Sequence, residues 1–144
     1  MINFIVAQPS DLADLLNLLE LIGGDRSKMD TASFIVAKDD QKLVGCVRVK
    51  KFNDQSLELA SLAVNPEYQR QGIGRTLVEK ILEKEKSRPI FLFCSIEKEP
   101  FYTLNGFVKI VPEVLPSEIK KEYDEVLNRI KIPAEQVLIM ACYK

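Results

Sequence analysis

The chain has 144 residues, 47% hydrophobic and 28% charged, and its 20 basic residues nearly balance 21 acidic ones for a net charge of −1. It contains no histidine, which excludes Ser-His and Cys-His nucleophile pairs, a histidine base and histidine-ligated metals. The balanced charge gives no basic field for nucleic acid or an anionic membrane, and Cys46, Cys94 and Cys142 are spaced for neither a disulfide framework nor a zinc site.

Residues 2–7 are apolar and β-branched and predict a strand. Ser10 stands as an N-cap before Leu12, Leu15, Leu16, Leu19 and Ile22, which recur at helical spacing until Gly23-Gly24. Residues 25–32 are polar and read as a loop. Strands follow at 33–38 and 42–51, joined by the turn Asp39-Asp40-Gln41, and a third at 56–64 after Asn53-Asp54-Gln55. Asn65-Pro66-Glu67 breaks that strand. A helix is predicted from Arg75 to Ser87, with Leu77, Val78, Ile81 and Leu82 on one face. Residues 89–95 are nearly all apolar, as in a strand buried on both faces. A short helix fits 97–105, stopped by Gly106. Strands at 107–112 and 136–143 flank an amphipathic helix over 116–130 with Ile119, Tyr123, Val126, Leu127 and Ile130 on one side. The order β-α-ββ-β-α-β-α-β-α-β predicts one domain over residues 1–144, a mixed sheet with helices on its faces. Reduced thiols, no signal peptide and no membrane-length apolar run predict a cytoplasmic protein.

Gln69-Arg70-Gln71-Gly72-Ile73-Gly74-Arg75 lies between a strand and a helix. Two glycines let the backbone curve and expose successive N–H groups, and the next helix aims its N-terminus at the same place. Such a segment can hold a pyrophosphate or merely turn the chain. It is neither a dinucleotide fingerprint, which would need glycine in place of Leu77, nor a Walker A loop.

Three stretches, taken together, resemble the GNAT superfamily of acyl-CoA N-acyltransferases. Glu58-Leu-Ala-Ser-Leu-Ala-Val64 is similar to the family's fourth strand, and Asn65-Pro-Glu-Tyr-Gln-Arg-Gln-Gly-Ile-Gly-Arg75 to its acetyl-CoA signature. Phe101-Tyr-Thr-Leu-Asn-Gly-Phe107 is similar to its F-Y-x-x-x-G-F segment. The resemblance implies a mixed, mostly antiparallel sheet of six to seven strands with a splayed central pair. It implies acetyl-CoA as co-substrate, with no metal, and a monomer or homodimer. The pantetheine arm would pair with the backbone of Leu62, Ala63 and Val64. The pyrophosphate would meet Gln69, Arg70, Gln71, Gly72, Ile73, Gly74 and Arg75, and an oxyanion a backbone N–H near Leu62 or Val64.

Acetyl transfer to an amine needs a base for an ammonium of pKa near ~10.4 and an acid for the departing thiolate. The resemblance assigns the base to Glu58, acting through water, and the acid to Tyr102. By strand alternation Glu58 shares a face with Ala60, Leu62 and Val64, so it lies either at a solvated strand end or in a cleft. Many family members carry Asn where this chain has Ser95, whose hydroxyl would contact the cofactor only weakly. Cys94, in an apolar strand with no histidine partner, reads as a core thiol rather than an acyl carrier.

The stretch Leu115-Pro-Ser-Glu-Ile-Lys-Lys-Glu-Tyr123, with residues 58–64, is partly similar to the acetyltransferase domain of N-acetylglutamate synthases. That implies a small amino-acid-like acceptor. Arg26, Lys28, Arg48 and Lys50 are candidate partners for its carboxylates, set against a plainer reading as solvated surface charge. A protein or peptide acceptor, and a non-catalytic acyl-CoA sensor, are the alternative functions.

Overall fold

The computed structural model describes residues 1–130 and 133–144. Its elements are β1 (Ile2–Val6), α1 (Leu12–Ile22), β2 (Phe34–Asp39), β3 (Lys42–Lys51), β4 (Leu57–Val64), α2 (Ile73–Lys84), β5 (Ile90–Ser95), α3 (Glu99–Leu104), β6 (Val108–Ile110), α4 (Ser117–Ile130) and β7 (Val137–Cys142), with short 3₁₀ turns between them. The strands form a seven-stranded sheet in the order β1-β2-β3-β4-β5-β7-β6. The pairs β1–β2, β2–β3, β5–β7 and β6–β7 are antiparallel. β4 and β5 pair in parallel, through Leu57 with Ile90 and Glu58 with Phe91. A parallel pair needs a crossover, and α2 supplies it. The mixed, mostly antiparallel architecture is the one predicted. Among the described residues no helix is long and apolar enough to cross a membrane.

The chain divides into two compact units, Met1–Val49 with Leu59–Lys86, and Lys50–Glu58 with Ser87–Lys144. In the first, Leu15, Leu18 and Leu19 of α1 pack on Phe34 and Val36 of β2, Leu43 and Cys46 of β3 and Ala63 of β4. Gly45, next to Cys46, faces the other way. A Cβ there would stand 3.1 Å from Leu77 Cδ1 and 3.3 Å from Ile73 Cγ2, so the glycine lets α2 lie close to the strand. Adjacent strand residues point to opposite faces, and α1 and α2 therefore cover opposite sides of this unit's strands.

The N-cap of α1 is not Ser10. Pro9–Asp11 form a 3₁₀ turn that runs into the helix, and Gln8 and Asp11 make the capping box. Asp11 Oδ2 accepts from the Gln8 N–H at 2.7 Å, and Lys38 Nζ lies 2.7 Å from Asp11 Oδ1. Gly23, at φ 82, ends the helix and donates to Leu19 O at 2.8 Å.

In the second unit, Phe91 and Phe93 of β5 and Val137, Ile139 and Ala141 of β7 meet Ile119, Tyr123 and Leu127 of α4. These strand positions are all odd-numbered, as one face of paired strands must be. The opposite face carries Cys94 and Met140, whose sulfurs lie 3.9 Å apart. Gly106, just beyond α3, approaches Cys142 on that same side.

Candidate active site

α2 starts two residues earlier than its apolar periodicity suggests, because the left-handed Gly72 (φ 80) is its N-cap. Arg70 is also left-handed, at φ 65, so the loop turns twice before the helix begins. Gly72 O accepts from the Thr76 N–H at 3.1 Å, the first bond of the helix. The N–H groups of Ile73, Gly74 and Arg75 precede that bond and point out of the helix start. Arg70, Gln71 and Arg75 are exposed around them, Arg75 Nε reaching Glu79 at 3.0 Å. Backbone donors, a positive dipole end and two guanidinium groups suit a doubly charged pyrophosphate. The loop leading in is fastened at several points. Tyr68 Oη donates to Asp39 Oδ2 at 2.8 Å, Asn65 Oδ1 accepts from the Glu67 N–H at 2.9 Å, and Gln69 Nε2 donates to Val64 O at 3.0 Å.

The end of β4 divides its backbone between two edges. The Asn65 N–H donates to Val44 O of β3 at 2.8 Å. Alternation puts the backbone groups of Ala63 on that same edge and those of Leu62 and Val64 on the edge turned away from β3. Of the three expected cofactor contacts on this strand, Leu62 and Val64 thus present their peptide groups outward.

Ser61 departs from regular strand geometry at φ 58. A left-handed residue inside a strand interrupts period-two alternation, so the count that put Glu58, Ala60, Leu62 and Val64 on one face does not run through it. Arg48, fully buried, holds this irregularity. Its Nε donates to Ser61 Oγ at 3.0 Å, and its Nη atoms donate to Lys28 O at 3.1 Å, Ser27 O at 2.8 Å and Asp25 O at 3.3 Å. Ser61 Oγ in turn donates to Asp25 O at 2.7 Å, and the Asp25 carboxylate lies 3.4 Å from Arg48. The polar loop 25–28 is therefore tied to β4 by one guanidinium.

In the second unit Glu58 is buried, not at a solvated strand end. Lys50 Nζ lies 3.6 Å from Glu58 Oε1 and donates a short hydrogen bond to Glu122 Oε2 on α4. The three side chains are 6%, 6% and 4% exposed. Reading Arg48 and Lys50 as solvated surface charge is thus overturned, since both stand on a strand inside the sheet and bury ion pairs. Arg26 and Lys28 are exposed as expected. The signal for the buried pair was available: Arg48 and Lys50 continue the alternate face of Cys46. Glu122 likewise stands within the Ile119–Tyr123–Val126 stripe of α4.

Tyr102 is half-buried on α3, its ring set edge-on to Phe101 at 5.0 Å and to Phe107 at 5.9 Å. Its carbonyl accepts from the N–H groups of Asn105 at 3.0 Å and Phe107 at 3.1 Å, which fixes the turn after the helix. Burial pushes the phenol well above its ordinary value, with Cys94 a smaller cause, so the hydroxyl keeps its proton at neutral pH. An acid must start in that state. Burial pushes the Cys94 thiol up to about 11, with Glu99 adding to it, which leaves little thiolate for nucleophilic attack. Ser95 closes β5 half-buried and makes no side-chain cap bond to the following turn.

Residues 30–109 match the family model described as Acetyltransferase (GNAT) domain. An uncharacterized N-acetyltransferase of Chlorobaculum tepidum is 30% identical over 92 residues, 62% of this chain and 58% of that protein. An amino-acid acetyltransferase of Aeromonas salmonicida is 26% identical over 104 residues, 69% of this chain but 23% of its own length. Among solved structures, N-acetylglutamate synthase from Neisseria gonorrhoeae complexed with coenzyme A and N-acetyl-glutamate superposes with a TM-score of 0.80 at 22% identity, over 99% of this chain and 35% of that one. That last likeness is one of fold.

Proposed function

The chain belongs to the GNAT acetyltransferase family, and on that premise we propose that it is an N-acetyltransferase that moves an acetyl group from acetyl-CoA to a primary amine by direct attack. The observation that carries the reading is the anion cradle at the start of α2, formed by two left-handed residues within the matched region. The N–H groups of Ile73, Gly74 and Arg75 bind the pyrophosphate, helped by Arg70, Gln71 and Arg75. Gln69 keeps the loop closed on Val64. The outward peptide groups of Leu62 and Val64 pair with pantetheine, and one of their N–H groups meets the negative charge that grows on the acetyl oxygen. Ser95 offers a hydroxyl to the cofactor.

Acetyl-CoA supplies the thioester and the leaving thiol. The C–N bond forms as the C–S bond breaks. Glu58 removes a proton from the acceptor nitrogen through water, and Tyr102 gives its proton to the departing sulfur. The acceptor is a small amino-acid-like amine, a reading supported by the resemblance of residues 58–64 and 115–123 to N-acetylglutamate synthases. The test is thiol release from acetyl-CoA across a panel of L-amino acids, glutamate included, polyamines and peptides. Release that depends on an amino acid is expected. Release with peptides alone would make the acceptor a protein. Acetyl-CoA binding without release for any amine would make the domain a sensor.

A further inference from the structure

Cys46 stands on β3, fully buried, and its sulfur meets the backbone of β4 on both sides of Leu62. The thiol donates to Ser61 O at 3.3 Å, and the Ala63 N–H donates to the same sulfur. These two groups belong to the two peptide units that flank Leu62, and both units are trans. In a trans peptide the C=O and the N–H point in opposite directions. Holding Ser61 O on Cys46 therefore aims the Leu62 N–H away from β3, and holding the Ala63 N–H on Cys46 aims Leu62 O the same way. From this we infer that Cys46 is a positioning residue for acetyl transfer: one sulfur turns both peptide groups of Leu62 off β3, so that the Leu62 N–H, rather than that of Val64, meets the acetyl oxygen. The inference rests on the reading of acetyl-CoA as co-substrate.

Ser61 makes such an anchor necessary. A non-glycine residue keeps a left-handed φ of 58 inside a strand only where its surroundings hold it there. Arg48 Nε and Asp25 O engage its hydroxyl at 3.0 and 2.7 Å, and Cys46 engages its carbonyl. Burial pushes the Cys46 thiol up to about 12, so the sulfur keeps at neutral pH the proton it gives to Ser61 O. Val64 differs, because its outward carbonyl already accepts from Gln69 Nε2 at 3.0 Å. A donor that stabilises a growing negative charge must be aimed before the charge appears. The Leu62 peptide groups are pinned on both flanks and meet that condition. Cys46 itself touches no substrate in this scheme.

Acetyl-CoA labelled with ¹³C at the thioester carbonyl reads the contact directly, since a donor at that oxygen draws the resonance downfield. Bound to the unmodified chain without an amine, it should lie downfield of free acetyl-CoA, and Cys46→Ala should bring it back toward the free position. The kcat for amine-dependent thiol release should fall about 10-fold in Cys46→Ala, with the Kd for coenzyme A held within about three-fold by the cradle at α2. Cys46→Ser keeps a donor and an acceptor in nearly the volume of alanine, and should retain more of both the rate and the shift. Loss of packing alone predicts the reverse order, because a hydroxyl is the costlier group in the apolar cluster around Cys46. Thermal melts establish that each variant folds, and Cys46→Val, which fills the space without a hydrogen bond, replaces Cys46→Ala if that variant does not. A carbonyl resonance and kcat unchanged in Cys46→Ala or Cys46→Val, or a Cys46→Ser no better than Cys46→Ala, overturn the inference. If the unmodified chain releases thiol but leaves the bound resonance at its free position, the transferase reading stands and the inference fails. If it releases no thiol with any amine, the transferase reading fails and the carbonyl shifts decide the inference.

Discussion

β3 carries two buried cations two residues apart, and the chain holds them in different ways. Arg48 donates to carbonyl oxygens of residues 25–28 and to Ser61 Oγ, groups that keep the same charge at any ordinary pH, and pairs with one carboxylate, Asp25, at 3.4 Å. Lys50 faces Glu58 and Glu122, two groups that can each gain a proton. The first arrangement fastens a loop to an irregular strand. The second gathers two carboxylates around one ammonium. Burial of charge alone does not separate structure from chemistry; the kind of partner does.

The largest effect expected on the fastening side is that of Arg48→Met. It leaves the part-buried Asp25 carboxylate and several carbonyls without their cation and should cost about 3 kcal/mol in urea denaturation. A variant as stable as the parent would remove the distinction between the two cations. On the chemical side, Tyr102→Phe should lower kcat about 100-fold while leaving the KM for acetyl-CoA and the melting temperature nearly unchanged. Intact turnover would take the acid role away from Tyr102.

A smaller effect sharpens the comparison at a third ion pair, Lys38–Asp11, which fastens the start of α1. Burial acts to raise the Asp11 pKa, but the hydrogen bonds from Lys38 and the Gln8 N–H and the Lys38 charge outweigh it, so the carboxyl titrates below its ordinary value. A depressed folded value contributes stability above the unfolded pKa of about 3.9, and that stability is lost as pH falls through the folded value. Asp11→Asn should therefore cost about 1 kcal/mol at pH 7, and the difference from the parent should vanish in strong acid. A difference independent of pH would show that the cap acts by shape alone.

Much of this was legible in the sequence. Apolar periodicity gave, in order, the seven strands and four α-helices found among the described residues, because an element that buries one face carries its period. The glycine loop was placed correctly, but not the left-handed Arg70 beside it, since arginine gives no sign of that conformation. Ser61 hid in the same way: an ordinary strand residue by type, it breaks the alternation that put Glu58 and Val64 on one face. The Lys50–Glu58–Glu122 cluster was missed for another reason. Glu122 is far in sequence from Lys50 and Glu58, and each of the three taken singly has the composition of a solvated surface. The adjacency of β3 and β4 in the sheet and the docking of α4 bring them together.

The central claim is that Glu58 receives the acceptor's proton, and the pH profile of amine-dependent thiol release by Glu58→Gln tests it most directly. The account predicts a rate at pH 7 lower by about 100-fold, recovering toward the parent as pH rises and the amine deprotonates unaided. A profile that coincides with the parent's at every pH would contradict it.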